Sequence, residues 1–183
     1  MSDVIKFFTT TSQYDSHAEV FSDSNHRPRA LSYNFSNMMP RRNIFLMARA
    51  FLAISAMTHK KLQKLCYYAK AWHLAMYDTN IISEDFQAWI HGAVQPELYH
   101  HYKQYRYDEI PMETNISDIP EYFLGFAREI YASYGHLTGN ELEEVNHTET
   151  PWLNARAGLN PWESCDRVIS EEDMKLFYRN MMK

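Results

Sequence analysis

The sequence predicts a mainly helical α+β domain: a compact helical body with a small β element, preceded by an irregular N-terminal arm. Three observations lead there. From Asn43 onward, apolar residues recur at helical spacing and are punctuated by helix-capping residues. One stretch, "EDFQAWIHG", alternates and carries aromatics, as a strand does. Residues 9 to 42 lack periodic apolar positions and are rich in Ser, Thr, Asn and Asp, which reads as loop or disorder. The domain boundaries expected are therefore 1–42 for the arm and 43–183 for the folded domain.

Each element follows in turn. "NIFLMARAFLAIS" predicts a short helix. Thr58 is a good N-cap for a second helix running to about Asp78. The "EDFQAWIHG" strand is expected to end at Gly92. Pro96 suits the first turn of a helix over Glu97 to Gln104. Asp118 is expected to cap the next helix, with Pro120 in its first turn and Gly135 as its stop. Thr138 and Glu141 have the spacing of a capping box. Thr150 and Pro151 open a short helix, and Ser170 with Glu171, Glu172 and Asp173 opens the last, where acids suit the positive helix end.

The helix from Thr58 to Asp78 is the most informative. At 100° per residue, Leu62, Leu65, Ala69 and Met76 gather within roughly 140° to 200° of Lys60, flanked by Cys66, Trp72 and His73. Lys60, Lys61, Lys64 and Lys70 lie opposite, mixed with Tyr67, Tyr68, Ala71 and Leu74. A helix apolar nearly all round, with a lysine rim, is central. A sharper reading turns its Tyr–Lys face toward a partner protein; central packing is the better-weighted of the two.

Composition narrows the function classes. The chain has 183 residues, 45% hydrophobic and 22% charged, with a net charge of −5. From Pro111 to Lys183 there are six basic and thirteen acidic residues. That does not suit a protein held to DNA by phosphate contacts, and an acidic portion fits a basic protein partner better than a polyanion. Two cysteines, Cys66 and Cys165, without a CxxC, fit a reducing compartment and argue against a disulfide framework. The first residues do not follow the basic-then-apolar order of a secretory signal, and the run Ile44 to Met57 is too short to span a bilayer. A cytoplasmic location and no membrane association are expected.

No catalytic or metal set emerges, so no cofactor is expected. A histidine such as His73, on an apolar helix edge, is more often a satisfied core residue than a base. Cys66 reads as a small core residue. His91, His100 and His101 lack the spacing of a metal motif, and Glu97 with His101 reads as a surface pair. His147 sits before a helix start, in a cap or loop role. A metal-dependent or other enzyme using the histidine-rich segments is the weakest alternative.

Three ordered blocks carry a resemblance. "MTHKKLQKLCYYAKAWH" supplies Thr58, His59, Lys61, Leu62, Gln63, Lys64, Leu65, Tyr67, Tyr68, Trp72 and His73. "AWIHGAVQPELY" supplies Ala88, Trp89, Gly92, Val94, Pro96 and Tyr99. "NHTETPWLNARAG" supplies His147, Pro151, Trp152, Ala155 and Arg156. Together they resemble the Panacea, or SocA-like, antitoxin domain over about residues 43 to 183. The chain departs from the pattern at Ala93, where the family usually has proline, at Asn146, where it often has threonine, and at Gln87, where it has an acid.

The resemblance implies a non-enzymatic antitoxin that binds and neutralises a toxin made from a neighbouring gene, often in prophages. One branch implies a proteolytic adaptor that delivers the toxin to a ClpXP-type protease. On this reading Lys61, Lys64, Tyr67, Tyr68, Trp89 and Tyr99 are candidates for the toxin-binding surface. Leu62, Leu65, Trp72, His73, Gly92, Pro96, His147, Pro151, Trp152 and Arg156 are expected to hold the fold.

Overall fold

The computed structural model describes residues 43–182, so the expected arm, with its basic residues Arg27, Arg29, Arg41 and Arg42, lies outside the described residues. In chain order the elements are α1 (Asn43–Leu52), β1 (Met57–Thr58), α2 (His59–Tyr77), β2 (Gln87–Trp89), β3 (Gly92–Val94), α3 (Pro96–Tyr102) with a 3-10 turn (Lys103–Tyr105), β4 (Glu109–Ile110), α4 (Glu121–Tyr134), α5 (Gly139–His147), α6 (Thr150–Ala155) and α7 (Glu171–Met181). Helices dominate. Two antiparallel two-stranded pairs, β1–β4 and β2–β3, form the minor β element.

Helix α2 is the axis of the domain. Every residue from Leu62 to Ala75 is buried, because α7, α5, α4, α1 and β3 all pack around it. Burying a large apolar side chain contributes about 1.5–3 kcal/mol, and α2 places Leu62, Leu65, Tyr67, Tyr68 and Trp72 at 0% exposure. Thr58 Oγ1 accepts the amide of Lys61, and Asp78 closes the helix in the left-handed region at φ 60°. The lysine rim is corrected: Lys64 is 1% and Lys70 0% exposed. Lys70 donates to the Glu84 carbonyl at 2.8 Å and pairs with Glu171 at 2.6 Å. A helix surrounded on all sides buries even its lysines, provided each ammonium finds acceptors.

Other expectations change too. The single strand ending at Gly92 is a hairpin: Gln87 faces Val94, Ala88 faces Ala93 and Trp89 faces Gly92. Gly92 opens the second strand at φ 89°. Asp118 does not cap α4. Pro120 holds that position, and Asp118 receives Arg49 through two bonds, Nη1 at 2.7 Å and Nη2 at 2.8 Å. Arg49 also donates to Glu113 at 2.8 Å, so one guanidinium fastens the 113–118 loop to α1. Its hydrogen bonds hold the Glu113 and Asp118 carboxyls below their usual range. The capping box at Thr138 and Glu141 forms in both directions, and Ser170 caps α7 through the Asp173 amide.

A methyl group on Gly92 would sit 2.6 Å from Lys64 Nζ and 2.7 Å from Asn146 Oδ1, at a backbone angle that only glycine adopts without strain. Gly92→Ala is expected to lower stability by about 2–4 kcal/mol, measured by urea denaturation against the parent chain.

Candidate functional site

The β2–β3 hairpin has strands of three residues each, too short to persist alone. Side chains from three distant parts of the chain hold it. From α2, Gln63 exchanges two hydrogen bonds with the Gln95 backbone: its Nε2 donates to the carbonyl at 3.1 Å and its Oε1 accepts the amide at 2.9 Å. At the next residue, Lys64 Nζ donates to the His91 and Ala93 carbonyls. Helix α5 sends Asn146, whose Oδ1 accepts the Ala93 amide at 2.6 Å. Helix α6 sends Trp152, whose indole donates to the Trp89 carbonyl at 3.1 Å. Arg156, just past α6, donates to the Ala88 carbonyl at 2.9 Å and to the carbonyls of Asn160, Pro161 and Glu163. Gln95 in turn caps α3 by accepting the Leu98 amide, with Pro96 in the first turn.

Behind the hairpin lies a polar pocket of the core. Glu149 is 3% exposed and accepts from Asn146 Nδ2 at 3.0 Å. Tyr68 and Tyr178 bring their hydroxyls to the same carboxyl without reaching hydrogen-bond geometry. Burial pushes the Glu149 carboxyl up to about 7 and Lys64 down to about 7. Tyr68 stacks on Tyr134 with centroids 4.2 Å apart, and Trp72 donates to the Tyr134 hydroxyl at 2.9 Å.

The residues expected to hold the fold lie as follows. Leu62, Leu65 and Trp72 are core. His73 bonds to the Thr79 carbonyl and the Tyr122 hydroxyl, and burial lowers it to about 4, so it sits neutral. His147 stacks on Trp152 at 4.3 Å, and Arg156 lies over the same indole at 5.0 Å. Pro151 is buried in the first turn of α6.

The binding candidates divide. Tyr67, Tyr68 and Lys64 are interior and reach no surface. This is a correction with a simple cause: the face of α2 that carries them is covered by the hairpin, α5 and α7. Trp89 and Tyr99 come together at the surface, edge to face at 5.0 Å, and Tyr99 also meets the His59 ring at 5.8 Å. Lys61 lies elsewhere, donating to the Gly135 carbonyl at 2.7 Å and lying 5.5 Å over Tyr131. Of the other histidines, His91 is exposed and pairs with Glu143 at 3.0 Å, and His101 packs edge-on against Phe45 at 5.2 Å. No group of three or more metal-binding side chains forms among the described residues. Their helices include none long and apolar enough to cross a membrane.

The family model described as the antitoxin SocA-like, Panacea domain matches residues 62–153. The chain belongs to that family. Neither a curated protein nor a solved structure matches it. The matched segment contains Gln63, Lys64, Gly92, Asn146 and Trp152, most of the frame around the hairpin. Glu149 and Gln95 were missed in the sequence, since a buried carboxylate and a cap inside a loop have no local spacing to mark them.

Two of the three departures, Ala93 and Asn146, meet in space. Proline at 93 would have no amide to donate, and here that amide is what Asn146 accepts. Ala93→Pro alone strands Asn146 Oδ1 and is expected to cost about 1–3 kcal/mol. The double variant Ala93→Pro/Asn146→Thr is expected to recover much of it, read as a coupling energy in a double-mutant cycle.

Glu149 provides a pH test. Its folded value lies above its unfolded value, so the stability it contributes is full below about 4.5 and is lost as pH rises through about 7. The Tm of Glu149→Gln relative to the parent is therefore expected to rise between pH 4.5 and 8. A constant difference across that range would contradict the buried-carboxyl reading.

Proposed function

We propose that this chain is an antitoxin that neutralises a toxin, encoded close by, through direct protein–protein binding. The observation that carries the reading is family membership over residues 62–153. The site supports it chemically. The motif's Gln63, Lys64, Trp152 and Arg156 spend hydrogen bonds on backbone groups in and beside the hairpin, as a frame does. Trp89 and Tyr99 form a half-buried aromatic pair at the surface, the type of anchor that dominates protein interfaces. The acidic C-terminal portion favours a basic partner by steering its approach. The role is read as binding rather than catalysis, in the cytoplasm.

Co-expression with the adjacent gene's product tests the reading. The parent chain is expected to restore growth, and Trp89→Ala combined with Tyr99→Ala to weaken binding at least about tenfold, or 1.4 kcal/mol, with the Tm of the free chain little changed. Tyr67→Phe, an interior change, is expected to leave rescue intact. Toxicity that persists beside the parent chain would overturn the proposal. The toxin's half-life, measured with and without this chain in protease-proficient and protease-deficient cells, separates inhibition from delivery to a protease.

A further inference from the structure

Beside the hairpin the sheet continues into a third, irregular strand. The Ala88 amide donates to the Arg167 carbonyl at 2.9 Å and the Ile169 amide to the Phe86 carbonyl at 2.8 Å, with Gln87 and Val168 facing each other across an antiparallel bridge. In this bonding pattern the facing residues turn their own N–H and C=O groups away from each other. Gln87 turns toward β3, where it faces Val94. Val168 turns outward. It is 50% exposed, and none of the hydrogen bonds among the described residues uses its amide or carbonyl. The edge is short, and the exposed charges of Asp166 and Arg167 precede Val168 on it.

Beyond the Ala88–Arg167 bond the two chains part. Trp89, Ile90 and His91 on one side, and Ser164, Cys165 and Asp166 on the other, line a groove of about 600 Å³. The rim is acidic. Glu163 and Asp166 are exposed. The neighbouring cations are committed: Arg156 is buried against carbonyls, and Arg167 donates to Ala157. Trp162, on the same segment, is 76% exposed and offers an aromatic face to a cation.

We infer that the open edge at Val168 and the adjoining groove dock an extended, cation-bearing segment of the toxin, which adds a strand to this sheet and sets a basic side chain against Asp166. The inference rests on the antitoxin reading. Two features argue for this occupant: unpaired backbone groups in strand geometry, which an extended chain satisfies, and two exposed rim carboxylates, Glu163 and Asp166, that make no ion pair among the described residues. The groove also includes Trp89, so it is continuous with the Trp89–Tyr99 pair.

The test uses the full chain with the protein encoded by the neighbouring gene. Val168→Pro removes the outward amide while leaving the inward Arg167 and Ile169 bonds; Asp166→Lys reverses the rim charge. Each is expected to raise Kd about tenfold or more, and hydrogen exchange at the Val168 amide is expected to slow in the complex. Should Val168→Pro fail to fold, Asp166→Lys and the exchange measurement still decide. Parent-like affinity of Asp166→Lys with an unprotected Val168 amide overturns the docking edge and leaves the antitoxin reading standing. No binding by the parent chain overturns the antitoxin reading itself, and the inference with it. Val168 protection that appears in the free chain as its concentration rises assigns the edge to a second copy and also overturns it.

Discussion

The rest of the domain depends on the burial of the Lys64 ammonium. A buried charge is tolerated only when acceptors replace the water it loses, and Lys64 finds them in the carbonyls of His91 and Ala93. That demand places the hairpin directly against α2. The closeness of the ammonium then requires that residue 92 have no side chain, and the left-handed turn requires the same. Asn146 completes the arrangement from the other side. It satisfies the Ala93 amide and connects the hairpin to Glu149. A hairpin of two three-residue strands is thus held by its surroundings rather than by its own ladder.

This network also explains what the family pattern records. Gln63, Lys64 and Arg156 of the pattern point inward and spend their hydrogen bonds in and beside the hairpin, so they describe a common frame. What the frame displays is a separate matter. The Trp89–Tyr99 pair belongs to the pattern, whereas Glu163, Asp166 and Val168 lie beyond the matched residues 62–153. On the antitoxin reading, the shared part supplies a rigid platform and an aromatic anchor. On the proposed docking edge, the segment after α6 would supply the charge and the open strand edge that discriminate among partners, since electrostatic complementarity governs specificity and approach more than raw affinity.

The local signals were read well because their causes are local. Thr58, Ser170 and the Thr138–Glu141 pair satisfy backbone amides within a few residues of themselves, and the structure shows each of these caps. Asp118 carries the same local signal and does something else. A guanidinium 69 residues away in sequence competes for it and offers two charge-assisted bonds, which outweigh one cap. The hairpin reads as a single strand in the sequence because its turn lacks the Asn-Gly or Asp-Gly signature and depends on carbonyls and amides held by distant side chains. In the sequence Lys64 and Lys70 read as a rim because lysine is rarely buried; only their carbonyl and carboxylate acceptors, farther along the chain, overturn that expectation.

The sequence by itself determined the mainly helical class, the start of most helices, the central position of α2 and the family, because periodicity, caps and motif order are properties of neighbouring residues. The tertiary structure decided which residues of α2 could meet a partner. It removed Tyr67, Tyr68 and Lys64 from the surface, brought Trp89 to Tyr99, and left the Val168 edge open. The physical reason is that burial and backbone satisfaction depend on which distant groups arrive at the same place. A helix that is apolar on every side does not reveal, from its own residues, which side will be covered.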